Sequence, residues 1–369
     1  MKQKERNSNF ELMRIVSMFL IIVWHFIMHT HLISRTTGEL NFVIRVIYLL
    51  IAVHVNSFVL VSGYFQYNKD INSKKIFSLI GKTWFYKLMY ALIFVFFGIV
   101  TMSKFDFFFF LQPLNITYSY GEFYWFINIY ICLYLLIPYL NILIKNLSYN
   151  MHKKLIIILF ILLSIIPRIA LWSTMSNHGT TLITFIMLYL IGAFFGKYKL
   201  RDNYHFKYYS IKKYKFVINI LFIITCFLSV IVLCSSDYLR MYSNTLIFDY
   251  FSRFFGENYI DFATPLIVIE SVLYLLIFES INIKSKIINK IGTLTFGIYL
   301  VHENKFLFDT FYNWLPIGTS GLIFSKKILI LIIAYSLMIF MVSAVIEYIR
   351  QIITKAIIKI YKKLPKNIW

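Results

Sequence analysis

Helix breakers, cysteines and acidic side chains are all scarce in this chain. Glycine and proline number 13 and 6 among 369 residues, about 5% together where an average protein has roughly 12%. That shortage excludes collagen-like and low-complexity chains and leaves room for long uninterrupted helices. Three cysteines, Cys132, Cys226 and Cys234, sit inside apolar stretches. Their spacing fits neither a disulfide framework nor a zinc site, so they read as packing residues, and no metal is expected. Charge is short too: 14% of the residues are Asp, Glu, Lys or Arg, against about 25% in a soluble protein. Only 16 of these are acidic, set against 37 Lys and Arg, for a net charge of +21.

What fills the space is apolar: 60% of the residues are hydrophobic and 20% are aromatic. So much apolar surface cannot be packed into one core and hidden from water. The same figure rules out a disordered chain. Apolar segments recur at about 12–33, 42–65, 76–101, 123–144, 154–173, 181–198, 216–235, 261–281, 294–313 and 328–349, the ninth being the least hydrophobic. A helical crossing takes about 20 apolar residues, so ten crossings use roughly 200 and leave only short loops. The expected fold is all-α, a polytopic membrane bundle of about ten transmembrane helices, with no repeat, linker or second soluble domain. The first segment superficially resembles a signal peptide. Arg14 and His25 inside it, and the absence of a small-residue cleavage site, predict a retained helix instead.

The basic residues do not gather on one patch, as a nucleic-acid binder requires. They fall in short runs between apolar segments. With the N-terminus inside, alternate loops hold 25 of the 37 on one side, from Lys2 through the run Lys197–Lys215 to Lys366. The other side holds six: Arg35, Lys104, Arg240, Arg253, Lys326 and Lys327. Retention of positive loops in the cytoplasm then predicts that both termini are cytoplasmic. Beyond the last span, residues 350–369 repeat Ile353, Ile357, Ile360 and Leu364 at helical spacing, with Lys355, Lys359, Lys362 and Lys366 off that stripe. This predicts an amphipathic basic tail on the inner leaflet, where anionic membrane lipids would hold it.

Ionisable groups inside spans are costly and mark candidate sites. The first segment carries Glu11, Arg14, His25 and His29. Arg14 and His25 are eleven positions apart, about 1100° of helical rotation and within roughly 20° of three turns, so they share a face about 16 Å apart along the axis. Arg14 on that face would hold anionic oxygens through charge-assisted hydrogen bonds, and His25 would act as a general base on a hydroxyl. The plainer reading, bundle residues satisfied by neighbours, applies to both. Lys75 and Lys82 lie seven positions apart and form a possible phosphate mouth. Lys87 is expected to snorkel. In the second segment Arg45 and His54 fall on opposite faces of a straight helix, while Ser62-Gly63 permits close helix packing. Glu270 stands mid-span and needs a cation or a proton, with Arg14, Arg45, Arg168 or a histidine as expected partners. His302-Glu303 ends the ninth segment's run from Gly297, open to a cavity role or a structural ion pair. The run Phe107–Phe110 and most Trp and Tyr read as interfacial belting, with some rings available to stack on sugars.

Four strings in order resemble one family, the acyltransferase-3 group of integral membrane acyltransferases. They are Asn9-Phe-Glu-Leu-Met-Arg14 leading to Trp24-His25-Phe26; Val55-Asn-Ser-Phe-Val-Leu-Val-Ser-Gly-Tyr-Phe65; Tyr124-Trp-Phe-Ile-Asn-Ile-Tyr130 with Pro138 after it; and Phe296-Gly-Ile-Tyr-Leu-Val-His302-Glu-Asn304. The similarity runs from about residue 9 to 345. Arginine, ten residues, then histidine in the first span is the family's main catalytic signature, which Arg14 and His25 match. The resemblance implies a membrane acyltransferase domain over 9–349 and a basic cytoplasmic tail over 350–369. It implies transfer of an acyl group, most often acetyl from acetyl-CoA, to a hydroxyl of a cell-surface carbohydrate or lipid-linked glycan. No permanently bound cofactor is expected; acyl-CoA would be a donor substrate, near Arg14, Lys75 and Lys82. Substrate contacts are expected from Glu11, Lys82, Trp125, Tyr130, Glu270, His302 and Glu303. A bacterial cytoplasmic membrane is the expected location. Some members carry paired arginines in the third helix, where this chain has only Lys82 and Lys87 at a different spacing. Many wall-modifying relatives also carry a C-terminal esterase-like domain. Here about 20 residues follow the last span, so glycan-assembly partners would be separate chains.

Direct transfer and a transient acyl group on His25 both fit this arrangement. A polysaccharide exporter is the main rival, although such proteins favour paired halves and helices broken near the midplane, and breakers are few here. A non-catalytic scaffold is a third reading, in which Arg14 and His25 would tolerate substitution.

Overall fold

A computed structural model describes residues 6–70, 72–99, 124–169, 177–199, 211–241, 261–304, 307 and 325–361. The described chain is 86% helix with no strand. Six of its helical stretches are long and apolar enough to cross a membrane: Ser8–His29, Gly38–Gln66, Ser73–Phe96, Trp125–Asn146, Lys213–Tyr238 and Lys327–Ile360, with Leu182–Tyr198 a shorter apolar helix. The run Phe107–Phe110, Lys104, Arg253, Lys305 and the tail from Lys362 lie outside the described residues, as do the side chain of Arg240 and the last part of the ninth predicted span, 308–313.

The first helix, α1 (Ser8–His29), has neither glycine nor proline to interrupt it, and 67% of its apolar window is buried. It is the hub of the bundle. Around it stand α3 (Gly38–Leu50) and α4 (Val53–Gln66), which a turn at Ile51–Ala52 cuts from one predicted span. A short α2 (Leu32–Arg35) joins α1 to α3. α5 (Ser73–Phe96) follows, begun by Asn72 accepting from the Lys74 amide. Next are α6 (Trp125–Asn146) and α7 (Tyr149–Phe160). α7 runs through a π-helical turn at Ile161–Ile165 into α8 (Ile166–Ile169). Pro167 has no N–H to donate and so favours that irregularity. Then come α9 (Leu182–Tyr198), α10 (Ile211–Met241) and α11 (Pro265–Ser280). The last are α12 (Lys286–Gly292), α13 (Thr295–His302) and α14 (Lys327–Tyr361).

Two kinds of surface result. Only 17% of the window in α10 is buried, and it presents Phe216, Ile223 and Phe227 outward, as α14 presents Ile330 and Met341. Each such side chain left in water forgoes roughly 1.5–3 kcal/mol, so a surface with this many exposed apolar groups belongs against lipid. Inside, α4 and α9 approach closely because glycines line the crossing. A Cβ at Gly63 would strike the Tyr189 carbonyl, and one at Gly192 or Gly196 the carbonyl of Leu60 or Tyr64. The packing expected of Ser62-Gly63 is therefore present.

Two ion pairs tie charged side chains down within the bundle. Arg45 makes two bonds to Asp237, at 2.7 and 2.8 Å, and turns α3 toward α10. Glu347, on α14, accepts two bonds from Arg350 at 2.6 and 2.7 Å and one from the Tyr86 hydroxyl on α5 at 2.6 Å. Residues 350–361 continue α14 without a break, because no glycine or proline interrupts the segment. Ile353, Ile357 and Ile360 are exposed along it. The described part of the tail is thus the end of the last helix, not a separate one.

Candidate functional site

α1, α4, α5, α6 and the α12–α13 corner enclose a cavity of about 380 Å³. At the end nearer the start of α1 its walls carry four basic side chains: Arg6, Arg14, Lys75 and Lys82. Their placement follows from local structure. Glu11 is buried against Gly292, where a Cβ would collide with its carboxylate. From there it pairs with Arg14 at 2.7 Å and Arg6 at 3.2 Å, holding both guanidinium groups at the cavity edge. The Lys82 ammonium stands 5.7 Å from the Phe296 ring centroid, a cation–π contact across the mouth.

The middle wall is aromatic. Trp125 and Tyr130 both line it, each with its ring against Phe126. Trp125 stacks on Phe262, centroids 6.2 Å apart, and Phe126 stacks on Tyr130 at 5.7 Å. The Tyr130 hydroxyl is 2.9 Å from Ser62 Oγ. Tyr124, one residue before α6, takes a left-handed backbone (φ 58°) that starts the helix beside α13.

At the other end is His25, 8% exposed. Its Nδ1 lies 2.7 Å from Glu303 Oε2 and 3.1 Å from His302 Nε2. Neither partner lines the cavity. The tautomers follow from the partners. His302 Nδ1 is 2.7 Å from the Ile298 carbonyl and must donate to it, so His302 Nε2 carries a lone pair. His25 Nδ1 then faces two acceptors and carries the proton, which leaves a lone pair on Nε2 for the cavity. When Nε2 takes a proton, the Glu303 carboxylate stabilises the resulting imidazolium. His29, one turn along α1, brings its Nε2 to 3.7 Å from the same Glu303 oxygen. The donor atoms of His25, His302 and Glu303 all lie within 4.8 Å of one another.

Glu303 can sit there because α13 stops at His302. The carbonyls freed at that end are taken by side chains: Tyr124 donates to Leu300 at 2.7 Å and Tyr90 to Val301 at 3.2 Å. Asn304 in turn donates to the Tyr124 hydroxyl at 3.1 Å. A buried helix end needs such partners, and they fix the residue that follows it.

Of the residues singled out from the sequence, the cavity brings together Arg14, His25, Lys75, Lys82, Trp125 and Tyr130. Glu11, His302 and Glu303 stand behind it, each bonded to a group that lines it. Glu270 does not join them. It is fully buried on α11 and accepts from Ser229 Oγ on α10. Among the described residues none of the expected cations bonds it: Arg14 bonds Glu11, Arg45 bonds Asp237, and Arg168 donates to Thr264 at 2.6 Å. A hydroxyl is what the opposing face of α10 offers at that depth. Arg45 and His54 are also absent from the lining. Sequence reasoning missed Arg6 at the mouth and the approach of His29 to Glu303. The i, i+4 spacing of His25 and His29 was the available signal for the second.

The strings that resemble one another's family counterparts, hundreds of residues apart, therefore line one chamber. No curated protein and no solved structure matches the chain. A family model described as an acyltransferase domain does match, over residues 7–350, and the chain belongs to that family, acyltransferase-3.

Proposed function

We propose that this membrane acyltransferase moves an acyl group, acetyl in the first instance, from acyl-CoA to a hydroxyl of a cell-surface carbohydrate or lipid-linked glycan. The observation that carries the reading is one cavity joining four basic side chains to a histidine held by Glu303 and His302. The basic end suits the phosphates of a coenzyme A thioester, with Arg14 gripping oxygens by its planar fork and Lys75 and Lys82 acting as point charges. The spacing of about 16 Å along α1 gives the pantetheine arm room to bring its thioester toward His25. Trp125 and Tyr130 offer faces and a hydroxyl to a sugar ring.

In the reaction, His25 Nε2 takes the proton of the acceptor hydroxyl as its oxygen attacks the thioester carbonyl. The C–S bond breaks, the coenzyme leaves as thiol with that proton, and the acyl group remains as an ester. Basic loops on one side support a cytosolic mouth for the donor. The test is reconstituted protein with labelled acetyl-CoA and candidate glycan acceptors. Label on the acceptor, abolished by His25→Ala at unchanged membrane levels, is the expected result. Acceptor movement without labelling, or full transfer by the variant, refutes the reading.

A further inference from the structure

Behind the cavity, His25, His302 and Glu303 bring their donor atoms within 4.8 Å of one another, and His29 approaches the same Glu303 oxygen from one turn along α1. His25 and His29 are four residues apart on one face of α1, the spacing at which two imidazoles reach a single ion from one helix. His302 and Glu303 come from the end of α13. The shared Glu303 oxygen is 2.7 Å from His25 Nδ1 and 3.7 Å from His29 Nε2, and His302 Nε2 is 3.1 Å from that same His25 nitrogen. Zinc binds such donors at roughly 2.0–2.2 Å in a tetrahedron, which sets neighbouring donors about 3.4 Å apart. These spacings lie on both sides of that value, so side-chain adjustment closes the tetrahedron.

Donor chemistry agrees with geometry. Three imidazole nitrogens and one carboxylate oxygen form a set that suits zinc over magnesium or calcium. His25, His302 and Glu303 are each less than a tenth exposed. His302 also has the outer partner typical of a metal-bound histidine, since its far nitrogen donates to the Ile298 carbonyl and aims the other at the cluster. The sequence carries no local zinc motif because the ligands are divided between residues 25–29 and 302–303.

We propose that His25, His29, His302 and Glu303 form a zinc site whose occupancy silences the histidine. Coordination uses the Nδ1 lone pair of His25, so the ring's single proton moves from Nδ1 to Nε2. No proton is released and no bond is oxidised or reduced. The nitrogen facing the cavity then holds a proton where it held a lone pair. This consequence, unlike the binding, rests on the reading of His25 as the base.

The test uses the full chain, purified in lipid nanodiscs and stripped by a chelator, then titrated with zinc chloride by calorimetry and with cobalt(II) followed by visible absorption. One ion per chain, with the absorption bands of tetrahedral cobalt, is expected. His29→Gln and His302→Gln should each weaken binding at least tenfold, while His152→Gln, far from the cluster, leaves it unchanged. Zinc should inhibit acyl transfer over the concentration range in which it binds. A chain that binds zinc with this dependence but transfers no acyl group under any condition overturns the proposed reaction and supports the site. Absence of stoichiometric binding, or binding that both cluster variants leave unaltered, overturns the site.

Discussion

Two buried carboxylates, Glu303 and Glu270, face the same physical problem and solve it differently. Both are almost wholly removed from solvent. Glu303 meets imidazole nitrogens at 2.7 and 3.7 Å and supports a residue that opens onto a cavity. Glu270 meets a serine hydroxyl at an α10–α11 contact outside the cavity lining. An ionisable residue inside a membrane is a site hypothesis by default, but the default does not separate these two. What separates them is whether the partner can change its protonation state and whether it touches open space. A serine does neither at this position.

The largest expected effect tests the Glu303 side. Glu303→Gln keeps the shape but removes the charge that stabilises an imidazolium, so initial rates should fall by roughly 10²–10⁴-fold. The donor KM should stay nearly constant; a fall below threefold would break the comparison. Next comes the basic mouth. Lys82→Ala or Lys75→Ala should each raise the donor KM about tenfold, the loss of one charge-assisted contact, with little change in kcat. Acyl-CoA titration of rates distinguishes this from an effect on chemistry. A purely structural control is Gly192→Val on the α4–α9 crossing. Overpacking there should cost about 1–3 kcal/mol, read as a lower detergent-melting midpoint. The smallest effect is assigned to Glu270→Gln, which still accepts from Ser229. Activity should remain within about threefold and stability within about 1 kcal/mol. Loss of transfer comparable to that of Glu303→Gln would erase the distinction between the two carboxylates.

Much of the helical framework was legible because its signals are local. Apolar runs give crossings, and Asn72 and Ser148 cap helices where sequence rules put such residues. The second predicted span failed to remain one helix, since the turn at Ile51–Ala52 has no glycine or proline to announce it. The shared face of Arg14 and His25 was also legible, because eleven residues nearly complete three helical turns. The partner of Glu270 was not, for the hydroxyl that meets it lies 41 positions away on another helix.

The sequence by itself determined a helical membrane chain, the family likeness, and the residues on α1 that carry the proposed chemistry. Those follow from composition and from rotation about a single axis. Only the tertiary structure decided that Glu303 and His302 stand behind His25, that their hydrogen bonds favour a proton on Nδ1, and that Gly292 seats the Glu11 carboxylate that pairs with Arg6 and Arg14. Each of these depends on contacts between segments about 280 residues apart or on a tautomer set by a neighbour's hydrogen bond. A periodicity describes one helix, whereas a protonation state depends on everything packed against it.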